Sequence, residues 1–332
     1  MEEGLEEVSA EAWEEDTVEG EEDGMSSNSR VYGIVPSKRL GRSLGVSPIP
    51  FKTCTYSCVY CQLGRTTNFT VKRQTFFPLK VFEEELKGFV KRHRYDFDVV
   101  SIVGEGEPTL YTPLDALIDL CKSITGKPVV LITNGSLFWS EKVRKEAKLS
   151  DIIMPTLSAW DEKSFRTIHK PHKNLSFQKV FEGLKKFRRE YSGEIWLEVM
   201  LVKGLNDFAL EELKEKISQV ESDRVYVNVP VRPPAEGWVE PPDEETIEKA
   251  KELFNAASIE TPAASRFIAA GEGIDAVLNV IKRHPMNEEE VRDLLTSQKI
   301  DPKPVLEKLR SCKNVKIIEY SGRRYYRYTT AE

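Results

Sequence analysis

The chain has 332 residues, of which 40% are hydrophobic and 31% charged, and its formal net charge at pH 7 is −6. This composition suits a soluble protein with one large core domain and a smaller second one. No run approaches the roughly 18 apolar residues of a membrane span, and the N-terminus lacks the basic start and apolar core of a signal peptide, so we predict a cytoplasmic protein without a membrane partner.

The charge is distributed unevenly along the chain. Residues 1–29 hold twelve Asp or Glu and no Lys or Arg, whereas 48 basic and 42 acidic residues follow from Arg30 onward. So acidic a segment cannot bury enough apolar surface to offset the entropy lost on ordering. We therefore predict a disordered acidic tail over 1–29, followed by a folded part of net positive charge.

Short apolar runs alternate with amphipathic runs from Ser43 to Ala257, which is typical of βα units. The predicted strands cover 43–51, 98–104, 127–133, 151–157, 194–202 and 223–230. The predicted helices cover 79–93, 113–124, 140–148, 176–191, 210–220 and 243–257. Six such units predict an α/β fold, a partial (β/α)6 TIM-like barrel over residues 30–258.

Three cysteines with the spacing CxxxCxxC follow the first predicted strand, at Cys54, Cys58 and Cys61. Thiolates at this spacing can hold an iron–sulfur cluster or a zinc ion. A structural zinc ion takes a fourth ligand, and the nearest further candidates in sequence are His93 and Cys121. Three ligands leave one iron of a cubane open to a substrate or cofactor, so the pattern favours a 4Fe-4S cluster over zinc.

Glycine-containing and polar segments follow the other predicted strands. Each could be an ordinary turn, but the active sites of parallel barrels lie at the C-terminal ends of the strands. Because all these segments fall on that one rim, we predict a site there. The segments are GEGEP at 104–108, TNGS at 133–136, SAW at 158–160, KGLND at 203–207 and PVRPP at 230–234.

The cysteine spacing, with Tyr60 before the last cysteine and a Gly-Glu-Pro segment after the second strand, resembles the radical S-adenosylmethionine superfamily. Over roughly residues 30–235, the runs VYGIVPSKRLGRSLGVSPIPFKTCTYSCVYCQLGRT, GEGEPTLY, ITNGSL and SAWDEKSF resemble the group related to archaeal wyosine synthases. Those enzymes modify a guanosine beside the tRNA anticodon, so the resemblance implies tRNA or another RNA as substrate.

The resemblance implies that the three cysteines bind three irons and that S-adenosylmethionine chelates the fourth. An electron from a donor such as ferredoxin or flavodoxin would then release a 5′-deoxyadenosyl radical for hydrogen abstraction. Matching motif positions imply further contacts with the cofactor. They are Gly106 and Glu107 at the methionyl amine, Tyr60 at the adenine, Ser158 and Glu198 at the ribose or carboxylate, and Asn134 and Asn228 on the same rim.

One departure from the wyosine synthases concerns a second cluster, which they hold on three further cysteines upstream of the radical motif. This chain has no cysteine before Cys54. Its two other cysteines, Cys121 and Cys312, lie in helical patterns and are interpreted as small buried hydrophobic residues. We therefore predict that the chain does not carry out the pyruvate condensation that makes the wyosine base.

The pattern changes after a predicted linker at 259–273. Three helices over 274–284, 288–298 and 302–312 precede a hairpin of runs 314–320 and 324–329, and this order predicts a small winged-helix-like domain over 274–332. The hairpin could contact nucleic acid, contact a peptide, or pack its tyrosines on the domain's own helices. Its basic and aromatic residues are Lys313, Lys316, Arg323, Arg324 and Arg327, with Tyr320, Tyr325, Tyr326 and Tyr328.

Three functions are compatible with the sequence. The first is a radical enzyme that modifies RNA, and the second is a radical enzyme that modifies a peptide or protein held by the winged helix. The third is a metal-dependent protein that binds nucleic acid without catalysis. A basic loop at 169–173, HKPHK, is either a substrate contact or an ordinary surface loop.

Overall fold

The computed structural model describes residues 29–258 and 267–330. The predicted acidic tail, apart from Ser29, and residues 259–266 of the predicted linker lie outside the described residues. Within the described ranges, no helix has both the length and the apolar character needed to cross a membrane.

The secondary structure follows the predicted order of elements. The strands are β1 (Val31–Ser37), β2 (Gly41–Val46), β3 (Thr53–Cys54), β4 (Asn68–Phe69), β5 (Val99–Ile102), β6 (Val129–Thr133), β7 (Ile152–Pro155), β8 (Glu194–Met200), β9 (Arg224–Asn228), β10 (Ile268–Ala269), β11 (Met286–Asn287), β12 (Val315–Tyr320) and β13 (Arg323–Tyr328). The helices are α1 (Leu79–His93), α2 (Leu114–Thr125), α3 (Glu141–Ala147), α4 (Glu162–His169), α5 (Phe177–Glu190), α6 (Leu210–Ser218), α7 (Glu244–Leu253), α8 (Gly273–Ile281), α9 (Glu288–Ser297) and α10 (Pro302–Ser311).

The main sheet has the order β10-β1-β2-β5-β6-β7-β8-β9. Strands β2 and β5 to β9 are parallel to one another, which confirms the predicted six-unit α/β barrel. Strands β1 and β10 add an antiparallel edge beside β2. The sequence pattern did not predict β1, because a glycine and a proline interrupt its apolar residues. It also did not predict α4, a helix of eight residues that begins with a capping box between Asp161 and Ser164.

The sheet buries a different core on each face. Alternate residues of each strand, such as Val129 and Leu131 in β6, pack under the surrounding helices in the largest hydrophobic cluster. On the inner face, Leu40 in the β1–β2 turn packs with Trp196 and Tyr226 from the far side of the sheet. Leu40 lies beside β2, the first parallel strand, but it reaches residues of β8 and β9, the last two, because the sheet curves around this inner core.

The C-terminal part has the winged-helix order α8-β11-α9-α10-β12-β13, with a three-stranded antiparallel sheet in the order β11-β13-β12. Asn287 and Glu290 form the predicted capping box at the start of α9. Ser321 and Gly322, with φ of 48° and 73°, make the tight turn of the hairpin. The fold prediction for this part is therefore confirmed.

The hairpin packs against the barrel. The hydroxyl of Tyr320 donates to the carbonyl of Pro230 at 3.0 Å, and that of Tyr325 donates to the carbonyl of Val231 at 3.2 Å. Tyr326 is fully buried in the core of the C-terminal domain. Tyr326 therefore packs as the third alternative for the hairpin predicted, on the domain's own helices, whereas Tyr320 and Tyr325 contact the barrel, which none of the three alternatives predicted. Lys313, Lys316, Arg323 and Arg324 remain exposed.

Candidate active site

The cysteine loop comprises residues 54–67, between β3 and β4. It crosses the C-terminal ends of the parallel strands, and backbone hydrogen bonds hold it on both sides. The amide of Ser57 donates to the carbonyl of His169 at 3.0 Å, and the amide of Val59 donates to the carbonyl of Ile168 at 3.0 Å. On the other side, the amide of Glu107 donates to the carbonyl of Thr53 at 3.0 Å. The loop therefore depends on the chain segments that follow β5 and β7.

The three cysteine side chains line one cavity of about 170 Å³ beside Gly104, Glu105 and Gly106. Among the described residues, no three His, Cys, Asp or Glu side chains come together closely enough to share a single metal ion. A cubane takes one thiolate for each iron, so its cysteines need only surround a common cavity, as these do. The donor set and the space between the donors therefore fit a 4Fe-4S cluster.

Burial affects all three thiols. It raises the pKa of Cys54 to about 12, raises that of Cys58 well above its ordinary value and also raises that of Cys61. Hydrogen bonds and the charges of Lys52 and Arg327 oppose this shift at Cys61. Cysteines bind metal as thiolates, so cluster assembly at this site must displace protons from buried thiols.

Gly106 lies where two backbones meet. A Cβ at this position would overlap the carbonyl group of Thr53 in β3, and the two residues form a parallel β-bridge. Only glycine lets the segment after β5 approach the cysteine loop this closely. The Gly-Glu-Pro segment therefore has a structural role next to Cys54.

Glu107 is buried, and its carboxylate joins two loops of the rim. It accepts hydrogen bonds from the Thr109 hydroxyl at 2.6 Å, the Thr133 hydroxyl at 2.5 Å and the Asn134 amide at 2.7 Å. Burial raises the pKa of Glu107, although these bonds oppose the shift. The Asn134 side chain then donates to Thr55 Oγ1 at 2.8 Å, which links the third strand end to the cysteine loop.

Tyr60 and Cys58 share a neighbour, His169, which belongs to the possible substrate-contact loop at 169–173 and was not predicted to lie beside a cysteine. His169 Nδ1 lies 3.3 Å from Cys58 Sγ and 3.3 Å from the Tyr60 hydroxyl oxygen. Burial lowers the pKa of His169 to about 3, so its imidazole is neutral at pH 7. His169 is only 3% exposed, so for this residue the reading of 169–173 as an ordinary surface loop is wrong.

Ser158 lies on the same rim, at the end of the fourth parallel strand. Its side chain is fully buried, and its hydroxyl oxygen accepts a hydrogen bond from the Met200 amide at 2.9 Å. Asn206 fixes the backbone here, since its side-chain amide donates to the Ser158 carbonyl at 2.8 Å. Ser158 therefore ties the end of β7 to the end of β8.

Glu198 and Asn228 lie together on the inner face of the last two parallel strands. The Asn228 side chain donates to Glu198 Oε1 at 3.1 Å, and Arg39 from the β1–β2 turn pairs with the same carboxylate. Burial lowers the pKa of Arg39 to about 10. Arg39 was not predicted as a site residue, because nothing local in the turn indicates that its side chain enters the barrel.

The cysteine loop also contacts the segment that follows β9. Glu236 pairs with Arg65 at 2.8 Å and with Lys170 at 2.7 Å, and hydrogen bonds from these two residues lower its pKa to about 2. Its amide donates to the Val59 carbonyl at 3.0 Å. Through its carboxylate and its amide, Glu236 in the segment after β9 is thus joined to the cysteine loop and to Lys170, which follows α4.

The chain is similar to several known proteins. The profile described as the Radical SAM superfamily matches residues 49–217. The chain is 33% identical to the UPF0026 protein MJ1312 of Methanocaldococcus jannaschii, over 89% of this chain and 94% of that protein. It is also 38% identical to part of a protein named GTPase Obg from Brachyspira hyodysenteriae, over 71% of this chain but only 35% of that protein. A structure of TYW1 with a lysine-pyruvate adduct bound is 14% identical, with a TM-score of 0.46 and coverage of 87% of this chain and 81% of that one.

Proposed function

Because the chain belongs to the radical SAM superfamily, and is therefore an enzyme that uses a 4Fe-4S cluster and S-adenosylmethionine, we propose that Cys54, Cys58 and Cys61 hold the cluster. The observation that carries the proposal is that these three thiols line one cavity. When bound, the cluster and S-adenosylmethionine supply an electron and a 5′-deoxyadenosyl radical for hydrogen abstraction from the substrate.

The remaining rim residues orient and enclose the cofactor in this proposal. Gly106 lets its own segment close on the cysteine loop, and Glu107 fixes Asn134 while facing the methionyl amine. Tyr60 approaches the adenine from its position beside His169, and Ser158 lies close by. Ser158 and Glu198 face the ribose or carboxylate, and Asn228 holds the Glu198 carboxylate on the inner wall of the barrel. The surrounding strands and helices exclude water from the reacting atoms.

Separate replacement of each cysteine by alanine tests the assignment of the ligands. Each anaerobically reconstituted variant should lose most of its iron and sulfide and the charge-transfer absorption of the cluster. Cys121→Ala is the matched control, since Cys121 is fully buried in α2 and should not affect iron content. Full iron content in Cys58→Ala would contradict the assignment.

We propose RNA, with tRNA as the first candidate, as the substrate. Four exposed cations on or next to the hairpin support this choice, namely Lys313, Lys316, Arg323 and Arg324. Cations of this kind bind phosphates with an affinity that falls steeply with salt. We also propose a chemistry other than pyruvate condensation, because Cys121 and Cys312 pack in two different hydrophobic cores and are not available for a second cluster.

Charge reversal tests the RNA proposal. The double variant Arg323→Glu with Arg324→Glu should bind tRNA at least tenfold more weakly than the wild type at low salt, with a smaller dependence on salt. Lys214→Glu with Lys249→Glu is the matched control, since both residues are exposed on the helices α6 and α7. If the wild type and both double variants bound tRNA equally and without dependence on salt, the RNA proposal would be contradicted.

One observation favours a peptide substrate as the second candidate. Strand β12 lies at the edge of its sheet, and among the described strands it pairs only with β13. An extended peptide can add to such an edge through backbone hydrogen bonds. Protection of the β12 amides from hydrogen exchange by a peptide, together with no retention of RNA, would favour this candidate over RNA.

A further inference from the structure

Arg327 in β13 belongs to the C-terminal domain, but its guanidinium lies over the cysteine loop. An added Cβ on Gly64, three residues after Cys61, would lie 3.9 Å from Arg327 Cζ and 3.3 Å from Lys52 Nζ. The guanidinium is held in place because Arg327 Nη1 donates to the carbonyl of Pro234 at 3.0 Å. Two cations from different domains therefore flank the segment that follows Cys61.

Among the described residues, no carboxylate lies within salt-bridge distance of Lys52 or Arg327. Lys52 lines the same cavity as the three cysteines. Two partly buried like charges are costly unless an anion lies nearby, and the Cys61 thiolate, which lines the same cavity as Lys52 and comes three residues before Gly64, is such an anion.

The position of Arg327 is fixed by the way the C-terminal domain packs on the barrel. The Gln62 side chain donates to the carbonyl of Arg283 at 2.9 Å, next to the cysteine loop. The rings of Phe51 and Tyr328 meet edge to face, with their centroids 5.1 Å apart. Tyr328 is the next residue after Arg327, so this contact and the bond to Pro234 hold the guanidinium from two sides.

We propose that the C-terminal domain completes the cluster site, and that Arg327 together with Lys52 raises the reduction potential of the cluster by stabilising negative charge at Cys61. The inference rests on the proposed function, in which Cys61 is a ligand. Reduction adds one electron, from a low-potential donor such as dithionite, and hence one negative charge to the site. A nearby cation therefore stabilises the reduced form more than the oxidised form.

The test is a redox titration of the reconstituted full-length protein, followed by electron paramagnetic resonance. Arg327→Met and Lys52→Met should each lower the equilibrium constant for reduction about tenfold, which is a fall of about 59 mV for one electron. Arg327→Lys should keep most of the wild-type potential. Arg323→Met is the matched control, because Arg323 is exposed in the same strand, and its potential should equal that of the wild type.

Two outcomes would overturn the proposal. The first is an unchanged potential in both Arg327→Met and Lys52→Met at full iron content. The second is an equal shift in Arg323→Met, because the effect would then come from net charge alone. If Arg327→Met disturbs the packing of the domain, Arg327→Gln, whose side-chain amide can still donate to the carbonyl of Pro234, tests the loss of the same charge. Failure of the proposed function gives a different result. In that case either the wild type would hold no cluster, or Cys61→Ala would hold as much cluster as the wild type.

Discussion

Glu105 is the buried centre of the contact between the barrel and the C-terminal domain. Its Oε2 lies 2.9 Å from Arg30 Nη1 and 3.3 Å from Arg283 Nη2, and its Oε1 lies 3.3 Å from Lys282 Nζ. Burial alone would raise the pKa of Glu105, but Arg283, Arg30 and Lys282 together lower it. The side chain is therefore a carboxylate at neutral pH that joins three segments of the chain.

Glu105→Gln removes this charge with little change of shape and leaves three buried cations without it. Removing one partner of a buried ion pair costs about 3–5 kcal/mol, so the free energy of unfolding should fall by about this amount. Urea unfolding at pH 7, followed by circular dichroism, measures the loss. Glu83→Gln is the control, because its pair with Lys87 is exposed and should not affect the midpoint measurably.

The pH dependence of this loss has a defined sign. A carboxyl group whose pKa is lower in the folded state stabilises the protein above its ordinary pKa, and this stabilisation disappears as the pH falls. The difference between the wild type and Glu105→Gln should therefore shrink as the pH falls through the acid range. Equal urea midpoints for Glu105→Gln and Glu83→Gln at pH 7 would refute the reasoning.

Three further predictions concern the site and the C-terminal domain. Gly106→Ala should displace the segment after β5, because the added Cβ overlaps the Thr53 carbonyl, and should lower bound iron by more than half. His169→Phe keeps an aromatic ring in place but removes the nitrogen beside Cys58, so it should change the electron paramagnetic resonance spectrum of the reduced cluster at normal iron content. Asn287→Ala removes the cap of α9 and should lower the free energy of unfolding by about 0.5–2 kcal/mol in urea titrations.

Each of these three changes has a control and a contradicting result. Gly237→Ala places its Cβ in open space and should keep full iron content, as Gly106→Ala should not. A spectrum of His169→Phe identical to that of the wild type would show that the imidazole does not affect the cluster. Thr296→Ala, on the exposed face of α9, should leave the urea midpoint unchanged, and an equal loss in both helix variants would contradict the capping argument.

Local patterns in the sequence were sufficient to predict the barrel and the cysteine motif. Strand and helix periodicity depends on neighbouring residues, and the rule that parallel strands end on one rim places Cys54, Glu107 and Ser158 together. The same patterns did not predict His169 beside Cys58, because that contact forms when the C-terminal end of α4 bonds to the cysteine loop. Local spacing carries no information about a pairing between segments more than a hundred residues apart.

The hairpin shows the same limit. Alternating basic and aromatic residues predicted either an exposed binding surface or internal packing, and the strand pattern alone could not decide between them. In the structure, Tyr320 and Tyr325 bond to the PVRPP segment of the barrel, whereas Arg323 and Arg324 face solvent. The outcome depends on how the two domains pack together, which a one-dimensional pattern does not encode.

The most direct test of the central claim measures 5′-deoxyadenosine formed from S-adenosylmethionine by anaerobically reconstituted protein with dithionite as reductant. The wild type should bind about four irons for each chain and form 5′-deoxyadenosine, and Cys58→Ala should form none. A wild-type protein with a full cluster that leaves S-adenosylmethionine intact, or a Cys58→Ala variant as active as the wild type, would contradict the account.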